Sequence, residues 1–430
     1  MENRDRLRRD WRTMLLGISS LGAALSAFAI AWLIIVFGAF APQKGRSILE
    51  NVVIVTGITF IGAVFLPSVY YCIQRLRGRE IPEAAPKLLK VWQGCLLAIV
   101  WAGTAMLAQL WVDNDIFKWF TPPLYLLAIG IPVYFLIRLV SGGLNAGSRQ
   151  RFWGVLATSI ALGVTLAVIV ETMLVIVGLV IVGIYIGLHP EVSAVFKQIT
   201  DQITNAPSID AAMNAIEPWL NSPVAFLLAL LFFSGLAPII EETAKSLAAW
   251  TIFDRLDSPA QGFVVGALSG AGFGLFESLM ASAMPDSSWA ASLMVRGGST
   301  MMHIMAASLT GWGVAAFRIG NPGGGRVLRL VAMYALAMFM HGLWNASAIM
   351  IVFGNLPLPA GAGAPNPFGT VLNFSGVSLL IILCITIPIV LGIINRRFRM
   401  MNPSVPVPLL ENIPNLGSPD ENEEKLKGVQ

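Results

Sequence analysis

Charged residues, cysteine and histidine are all scarce in this sequence. Charged residues make up 12% of the 430 residues, whereas apolar residues make up 56%. A soluble domain carries about twice that charged fraction, so the composition indicates a membrane protein that crosses the bilayer several times. The three cysteines, Cys72, Cys95 and Cys384, fall inside apolar segments and provide neither a disulfide framework nor a CxxC metal site.

Sequence signatures of soluble enzymes are also missing. The chain has no P-loop, no Rossmann glycine pattern, no GxSxG and no HEXXH pair. It shows no internal repeat either, and internal repeats are common in secondary transporters. Any chemistry therefore has to come from polar residues that lie within the apolar segments.

Ten apolar segments reach or exceed the ~20 residues needed to cross a hydrocarbon core. They are 13–41, 51–73, 90–112, 119–140, 153–187, 223–251, 260–283, 288–317, 328–353 and 374–395. The predicted fold class is therefore all-α, a polytopic membrane helix bundle of about ten transmembrane helices.

The positive charges indicate the orientation of these spans. Most of the 28 Lys and Arg residues fall in the N-terminal segment, in alternate loops and in the tail, which predicts that both termini are cytoplasmic in the plasma membrane. The net charge of +4 is thus a topology signal and does not predict nucleic-acid binding. The first apolar run far exceeds the core of a signal peptide, which is about 7 to 15 residues long, so we expect a retained signal anchor.

The spans divide the chain into four predicted regions. These are an N-terminal five-span membrane region (1–187), an extracytoplasmic amphipathic loop (188–222), a five-span catalytic membrane core (223–395) and a disordered cytoplasmic tail (396–430). Apolar residues recur at helical spacing in the loop, which is typical of a segment lying in the membrane interface. Capping of the bundle is the alternative for this loop.

Three charged residues, Glu241, Glu242 and Lys245, interrupt the sixth span. Each charge at mid-bilayer depth costs about 2.5 to 3.5 kcal/mol, so such residues usually serve a function. On a helix the lysine can reach either acid. The structural alternative is a buried salt bridge. We expect such a bridge to pair the lysine with one acid and to leave the other acid without a partner.

Polar residues continue through the three following spans. They are Glu277 in the seventh span, Arg296 and His303 in the eighth, and His341 and Asn345 in the ninth. Both members of each pair lie on one helix face. Gly266, Gly270 and Gly274, spaced four apart, predict a close contact between helices. The fifth span contains a lone acid, Glu171, for which local satisfaction by a neighbour and a functional role both stay open.

Imidazoles and carboxylates together suit zinc. A catalytic zinc ion takes three protein ligands, and His303, His341 and one glutamate supply three. A further glutamate can act as general base on the attacking water. Asn345 can donate a hydrogen bond to a developing oxyanion, and Arg296 can pair with a carboxylate or hold a substrate carbonyl.

These motifs resemble, in order and on successive spans, those of the PrsW family of intramembrane metalloproteases. The resemblance covers about 220–350; the family is related to CAAX prenyl proteases and bacteriocin-processing enzymes. CAAX proteases typically have Arg and His where this chain has Lys245 and Glu277, which favours the PrsW branch.

The resemblance implies proteolysis of a membrane-associated protein, for example an anti-sigma factor. It implies Glu241, the first glutamate of the pair beside Glu242, as general base. It implies Glu277, His303 and His341 as metal ligands, with Zn²⁺ as cofactor.

Two other functions stay open from the residues alone. Glu171, Glu241, Glu242, Lys245 and the two intramembrane histidines could form the relay of a proton-coupled transporter. A non-catalytic scaffold that binds partners through 188–222 is the other alternative. The sequence makes no prediction of oligomeric state.

Overall fold

The computed structural model describes residues 2–40, 48–112, 114, 116–208, 211–212, 215–216, 222–283, 288–320, 323–356 and 367–401. Within these ranges the regular structure is helical, and one isolated β-bridge joins Glu83 to Ser148. The all-α prediction is therefore confirmed. The tail that we predicted as disordered lies, from residue 402 onward, outside the described residues.

Thirteen α-helices are described. They are α1 (Glu2–Phe40), α2 (Ile48–Leu76), α3 (Val91–Val112), α4 (Thr121–Ser141), α5 (Arg149–Thr158), α6 (Thr165–Leu188), α7 (Pro190–Thr204), α8 (Pro223–Ala229), α9 (Ala237–Thr251), α10 (Pro259–Ala281), α11 (Trp289–Ile319), α12 (Gly324–Gly354) and α13 (Pro367–Met401). Short 3₁₀ turns lie at Phe117–Phe120 and Phe253–Arg255.

Local sequence explains where several helices begin. Ser148, Ser222 and Ser258 stand immediately before α5, α8 and α10, and each side chain accepts a hydrogen bond from the backbone N–H three residues on. Pro223 and Pro259 follow two of these caps, at a position where the missing N–H costs nothing.

Nine helical segments of the described chain are long and apolar enough to cross a membrane, and they coincide with nine of the ten predicted spans. The tenth, 288–317, corresponds to α11, which has 31 residues, most of them buried. Its two ends lie at opposite ends of the bundle, since Trp289 bonds to Ser282 after α10 whereas Arg318 bonds to Asp254 before α10. The chain is thus a multi-pass membrane protein whose central helix is shielded from lipid by its neighbours.

The contact between α10 and α11 forms the centre of the bundle. A Cβ atom added at Gly266 would lie 1.9 Å from the carbonyl oxygen of Ala307, and one added at Gly270 would lie 2.3 Å from that of His303. Only glycine permits so close an approach of the two backbones. The predicted close contact through these glycines is confirmed. It places the backbone of Gly270 directly against that of His303, a candidate site residue.

Polar contacts join several loops at one end of the bundle. The Arg12 guanidinium lies 2.8 Å from the Asp254 carboxylate, and Arg318 donates to the Asp254 carbonyl. Arg75, at the end of α2, donates to Gln150, at the start of α5. Arg151, at the start of α5, also donates to Gln261, at the start of α10. These loops therefore lie on one side, as the predicted alternation requires; that this side is cytoplasmic stays a prediction.

Helix α7 occupies the first part of the predicted amphipathic loop. None of its residues is buried, and it packs on α6. Capping of the bundle by this helix is thus not observed, and the interfacial position remains the prediction for it.

Two π-helical segments interrupt long helices. Ser159–Val164 lies between α5 and α6, and Leu230–Leu236 lies between α8 and α9. Such segments are rare and frequently occur at functional sites. The second ends five residues before Glu241.

Candidate active site

Helix α9 brings an ammonium group between two carboxylates. Lys245 Nζ lies 3.0 Å from Glu241 Oε2 and 2.7 Å from Glu242 Oε1. The side chains of Lys245 and Glu242 are fully buried, and that of Glu241 is 13% exposed. Our expectation that the lysine would pair with one acid and leave the other over is wrong, because its four-carbon side chain reaches both.

The same ammonium contacts a histidine on another helix. Lys245 Nζ lies 2.7 Å from Nδ1 of His303 on α11. The ring of Phe273 lies under the ammonium, with its centroid 4.3 Å from Nζ. A cation–π contact of this kind stabilises a desolvated charge. The sequence analysis missed Phe273, whose only signal is its position among the glycines of α10.

His303 is held from its other nitrogen by Glu277 of α10. Nε2 hydrogen bonds to Glu277 Oε2, and Glu277 Oε1 lies 2.8 Å from Arg296 Nη2. An ammonium can only donate, so His303 Nδ1 must present its lone pair, and the proton is on Nε2, facing Glu277. The predicted pairing of Arg296 with a carboxylate is observed.

His341, on α12, is oriented by the second glutamate of the pair. Its Nδ1 lies 2.8 Å from Glu242 Oε1. A carboxylate accepts, so the proton is on Nδ1 and the lone pair is on Nε2. The rings of His303 and His341 lie 5.1 Å apart and are nearly perpendicular.

Glu241 lies where both free imidazole lone pairs are within reach. Its Oε2 is 3.8 Å from His303 Nδ1 and 3.8 Å from His341 Nε2. Donor atoms of the three residues all lie within 4.8 Å of one another. Ligands at zinc distances of ~2.0–2.2 Å in a tetrahedron are about 3.4 Å apart, so a small closure brings this set to the geometry of a zinc site.

The second nitrogen of each histidine is placed as metal-ligating histidines require. Such residues donate their other N–H to a carboxylate or carbonyl, which fixes the ring and its tautomer. Glu242 does this for His341, and Glu277 does it for His303. The residues present therefore fit a metal ion, on condition that the Lys245 ammonium moves away from His303 Nδ1.

The carboxylates differ in position from the sequence-based assignment. We predicted Glu277 as a metal ligand and Glu241 as general base. In the structure Glu241 is the carboxylate that reaches both lone pairs, whereas Glu277 contacts the opposite edge of His303. The geometry therefore places Glu241, rather than Glu277, beside the candidate donor atoms of the two histidines.

Asn345 lies one turn after His341 on α12 but contacts a different part of the chain. Its Nδ2 donates to the carbonyl oxygen of Phe233, within the π-helical segment, at 2.7 Å. Gly342 allows this approach, since a Cβ there would lie 2.4 Å from the carbonyl of Ser234. In this conformation one N–H of Asn345 positions the segment before α9, and the predicted oxyanion contact is left to its other N–H.

Comparisons with known proteins identify one family. The model of the PrsW family intramembrane metalloprotease matches residues 150–364, which is half of the chain. The match begins at α5, so it includes the fifth span, in which the sequence analysis had found no part of the resemblance. No curated protein and no solved structure matches the chain.

Proposed function

Since the chain belongs to the PrsW family of intramembrane metalloproteases and is thereby a membrane protease, we propose that it is a zinc-dependent endopeptidase. Its substrate is a membrane-associated protein, with an anti-sigma factor as the class that the resemblance suggests. The observation that supports this most directly is the convergence of Glu241, His303 and His341 from three helices. We further propose that the enzyme lies in the plasma membrane with both termini cytoplasmic, as the basic loops indicate.

We assign the ligands from the donor atoms. Glu241 Oε2, His303 Nδ1 and His341 Nε2 would hold the zinc ion. When bound, zinc would activate a water molecule and polarise the carbonyl of the peptide bond that is cleaved. The other two carboxylates, those of Glu242 and Glu277, contact protein groups of the site, and we infer their roles from these contacts.

Glu242 and Glu277 orient the two imidazoles. Glu242 is fully buried and holds the Nδ1 proton of His341, so it keeps that ring in one tautomer. Glu277 holds the Nε2 proton of His303, and its side chain is 37% exposed. This exposure makes Glu277 the site carboxylate that solvent reaches best. Because Glu277 lies at the edge of His303 opposite Nδ1, we assign to it the acceptance of the proton from the attacking water through one bridging water molecule.

Lys245 and Arg296 balance the charge of these acids. Lys245 pairs with both Glu241 and Glu242, and Arg296 pairs with Glu277. Unpaired charges in an apolar interior are strongly disfavoured, so the two cations offset part of the negative charge of the three carboxylates within the membrane. A proton relay in a transporter would use similar groups, but it requires no metal.

The proposal is tested with purified protein reconstituted in liposomes. We expect near-stoichiometric zinc by mass spectrometry and cleavage of a set of single-span peptides that carry Gly, Ser or Pro near mid-span. A chelator should stop cleavage, and added zinc should restore it. Cleavage that continues without metal would indicate glutamate chemistry alone. The absence of both bound zinc and cleavage would overturn the proposal.

A further inference from the structure

One acidic residue near the site has no role in the arrangement described so far. Glu171 lies on α6, within the fifth span, and its Oε1 is buried without a hydrogen-bond partner among the described residues. A buried acceptor left without a donor is costly in an apolar environment. Acids in membrane spans are accordingly uncommon unless they serve a function.

The position of Glu171 on its helix directs it toward the site. Val164 and Ala167 lie seven and four residues earlier, hence on the same helix face. They form a buried apolar cluster with Ala244 of α9 and Phe273 of α10. Both of these helices carry carboxylates of the candidate site, so the face that bears Glu171 is the one turned to α9 and α10.

The exposure of the surrounding side chains places Glu171 at the border of the packed bundle. Among the charged site residues Glu241, Lys245 and Glu277, Glu277 has the most exposed side chain, at 37%, and so marks the side from which a substrate can approach. After Glu171, nearly all side chains of α6 are exposed. Glu171 therefore stands at the edge between the packed bundle and open space.

The substrate of a protease within the membrane provides donors for such an acceptor. A peptide bond in an intact helix is shielded, so the helix must open locally before it can be cleaved. Opening frees main-chain N–H groups, which in apolar surroundings need protein acceptors. The site carboxylates are already engaged: Glu242 and Glu277 by histidines, and Glu241 by Lys245.

We propose that Glu171 is a substrate-binding residue that accepts hydrogen bonds from main-chain N–H groups of the unwound substrate segment beside the cleaved peptide bond. The proposal rests on the proposed function and adds a specificity element to it. Among the described residues no hydrogen bond or ion pair joins Glu171 to the donor set or to its orienting carboxylates, and so we expect its loss to leave the metal site intact.

The experiment compares two substitutions in liposomes, with a single-span peptide that the wild-type protein cleaves. Glu171→Leu removes the acceptor and should raise KM about 10- to 100-fold, with kcat and zinc content close to wild type and a Tm no lower than that of the wild type. Glu171→Gln keeps an acceptor oxygen and should raise KM less than about fivefold. Thr172→Val, a neighbour on the same helix that faces about 100° away, is the control and should leave KM unchanged.

Each outcome bears on one proposal. If the wild-type protein cleaves no peptide, the proposed function fails; if it cleaves and Glu171→Leu has a wild-type KM, only the role of Glu171 fails. Equal increases in KM for Glu171→Gln and Glu171→Leu would show that the charge of Glu171 matters. Binding of main-chain N–H groups would then be rejected in favour of pairing with a basic residue of the substrate. Should Glu171→Leu not fold, Glu171→Ala takes its place, and the isosteric Glu171→Gln still distinguishes charge from acceptor.

Discussion

The ammonium of Lys245 lies 2.7 Å from Nδ1 of His303, so a cation already contacts the nitrogen that a metal would need. It also contacts Glu241 Oε2 at 3.0 Å and thus touches two of the three atoms of the candidate donor set. Lysine and metal cannot share these atoms. Metal binding at this donor set would therefore require displacement of Lys245 toward Glu242.

Replacement of Lys245 should have opposite effects on the metal-free protein and on zinc binding. In Lys245→Met the buried acids lose their partner, and we expect the metal-free protein to lose about 3 to 5 kcal/mol of stability. Zinc should recover most of the loss, and should bind more tightly than in the wild type because no ammonium has to move. Thermal unfolding with a chelator and with zinc measures both effects; Lys197→Met, on exposed α7, is the control. Equal Tm values for Lys245→Met and wild type in chelator would contradict this arrangement.

The two intramembrane histidines should each be required for metal. His303→Ala or His341→Ala removes one of three donors, and we expect zinc content to fall to near zero while the protein still inserts in the membrane. Zinc is measured by mass spectrometry in one detergent. His189→Ala is the matched control, since His189 stacks on Tyr185 outside the site. Full zinc in both site variants would exclude this donor set.

The roles of Glu241 and Glu277 can be ordered by their effect on metal affinity. Glu241→Gln removes a charged donor and should nearly abolish zinc binding. Glu277→Gln keeps an acceptor for His303, so we expect only a ~10- to 100-fold loss of affinity, together with loss of cleavage because an amide cannot accept the proton. Zinc titration and turnover of both variants give the answer. The reverse order would restore Glu277 as ligand and Glu241 as base.

The glycines of α10 should tolerate no side chain. Gly270→Ala places a Cβ 2.3 Å from the His303 carbonyl, which is backbone and cannot yield, so we expect a loss of roughly 3 kcal/mol or more. Gly178→Ala, where no atom lies within 4 Å, is the control and should be neutral or slightly stabilising. Thermal unfolding in detergent measures the difference. Similar Tm values for the two variants would mean that α10 and α11 are not in backbone contact.

The orientation is tested with reporter fusions. A reporter at residue 205 and one at residue 410 should lie on opposite sides of the membrane, because an odd number of predicted spans separates them. Alkaline phosphatase activity identifies the outer position, and fluorescence of a fused green fluorescent protein identifies the inner one. A cytoplasmic result for both positions would overturn the predicted topology.

The sequence predicts the spans well because burial in lipid demands long apolar helices, and it predicts the glycine face because four-residue spacing is visible along one helix. Contacts between helices are less accessible to it. That Lys245 reaches Glu241, Glu242 and His303 together depends on how α9 and α11 are rotated. Nothing in a uniformly apolar stretch reveals that rotation, and the π-helical segment at Leu230–Leu236, which helps to set it, has no signature in composition.

That segment also affects how relatives of this chain should be compared. A π-helical turn holds about one residue more than an α-helical turn, and one residue rotates the next part of the helix by about 100°. A homologue that lacks this residue would bear its acidic pair on another face, unless it compensates elsewhere. An alignment that runs without a gap through 230–236 can therefore match the glutamates while misplacing every lipid-facing residue before them. Family members with this site geometry should therefore be grouped by whether they have the extra residue of the π-helical segment. Similarity of the surrounding apolar residues is not sufficient.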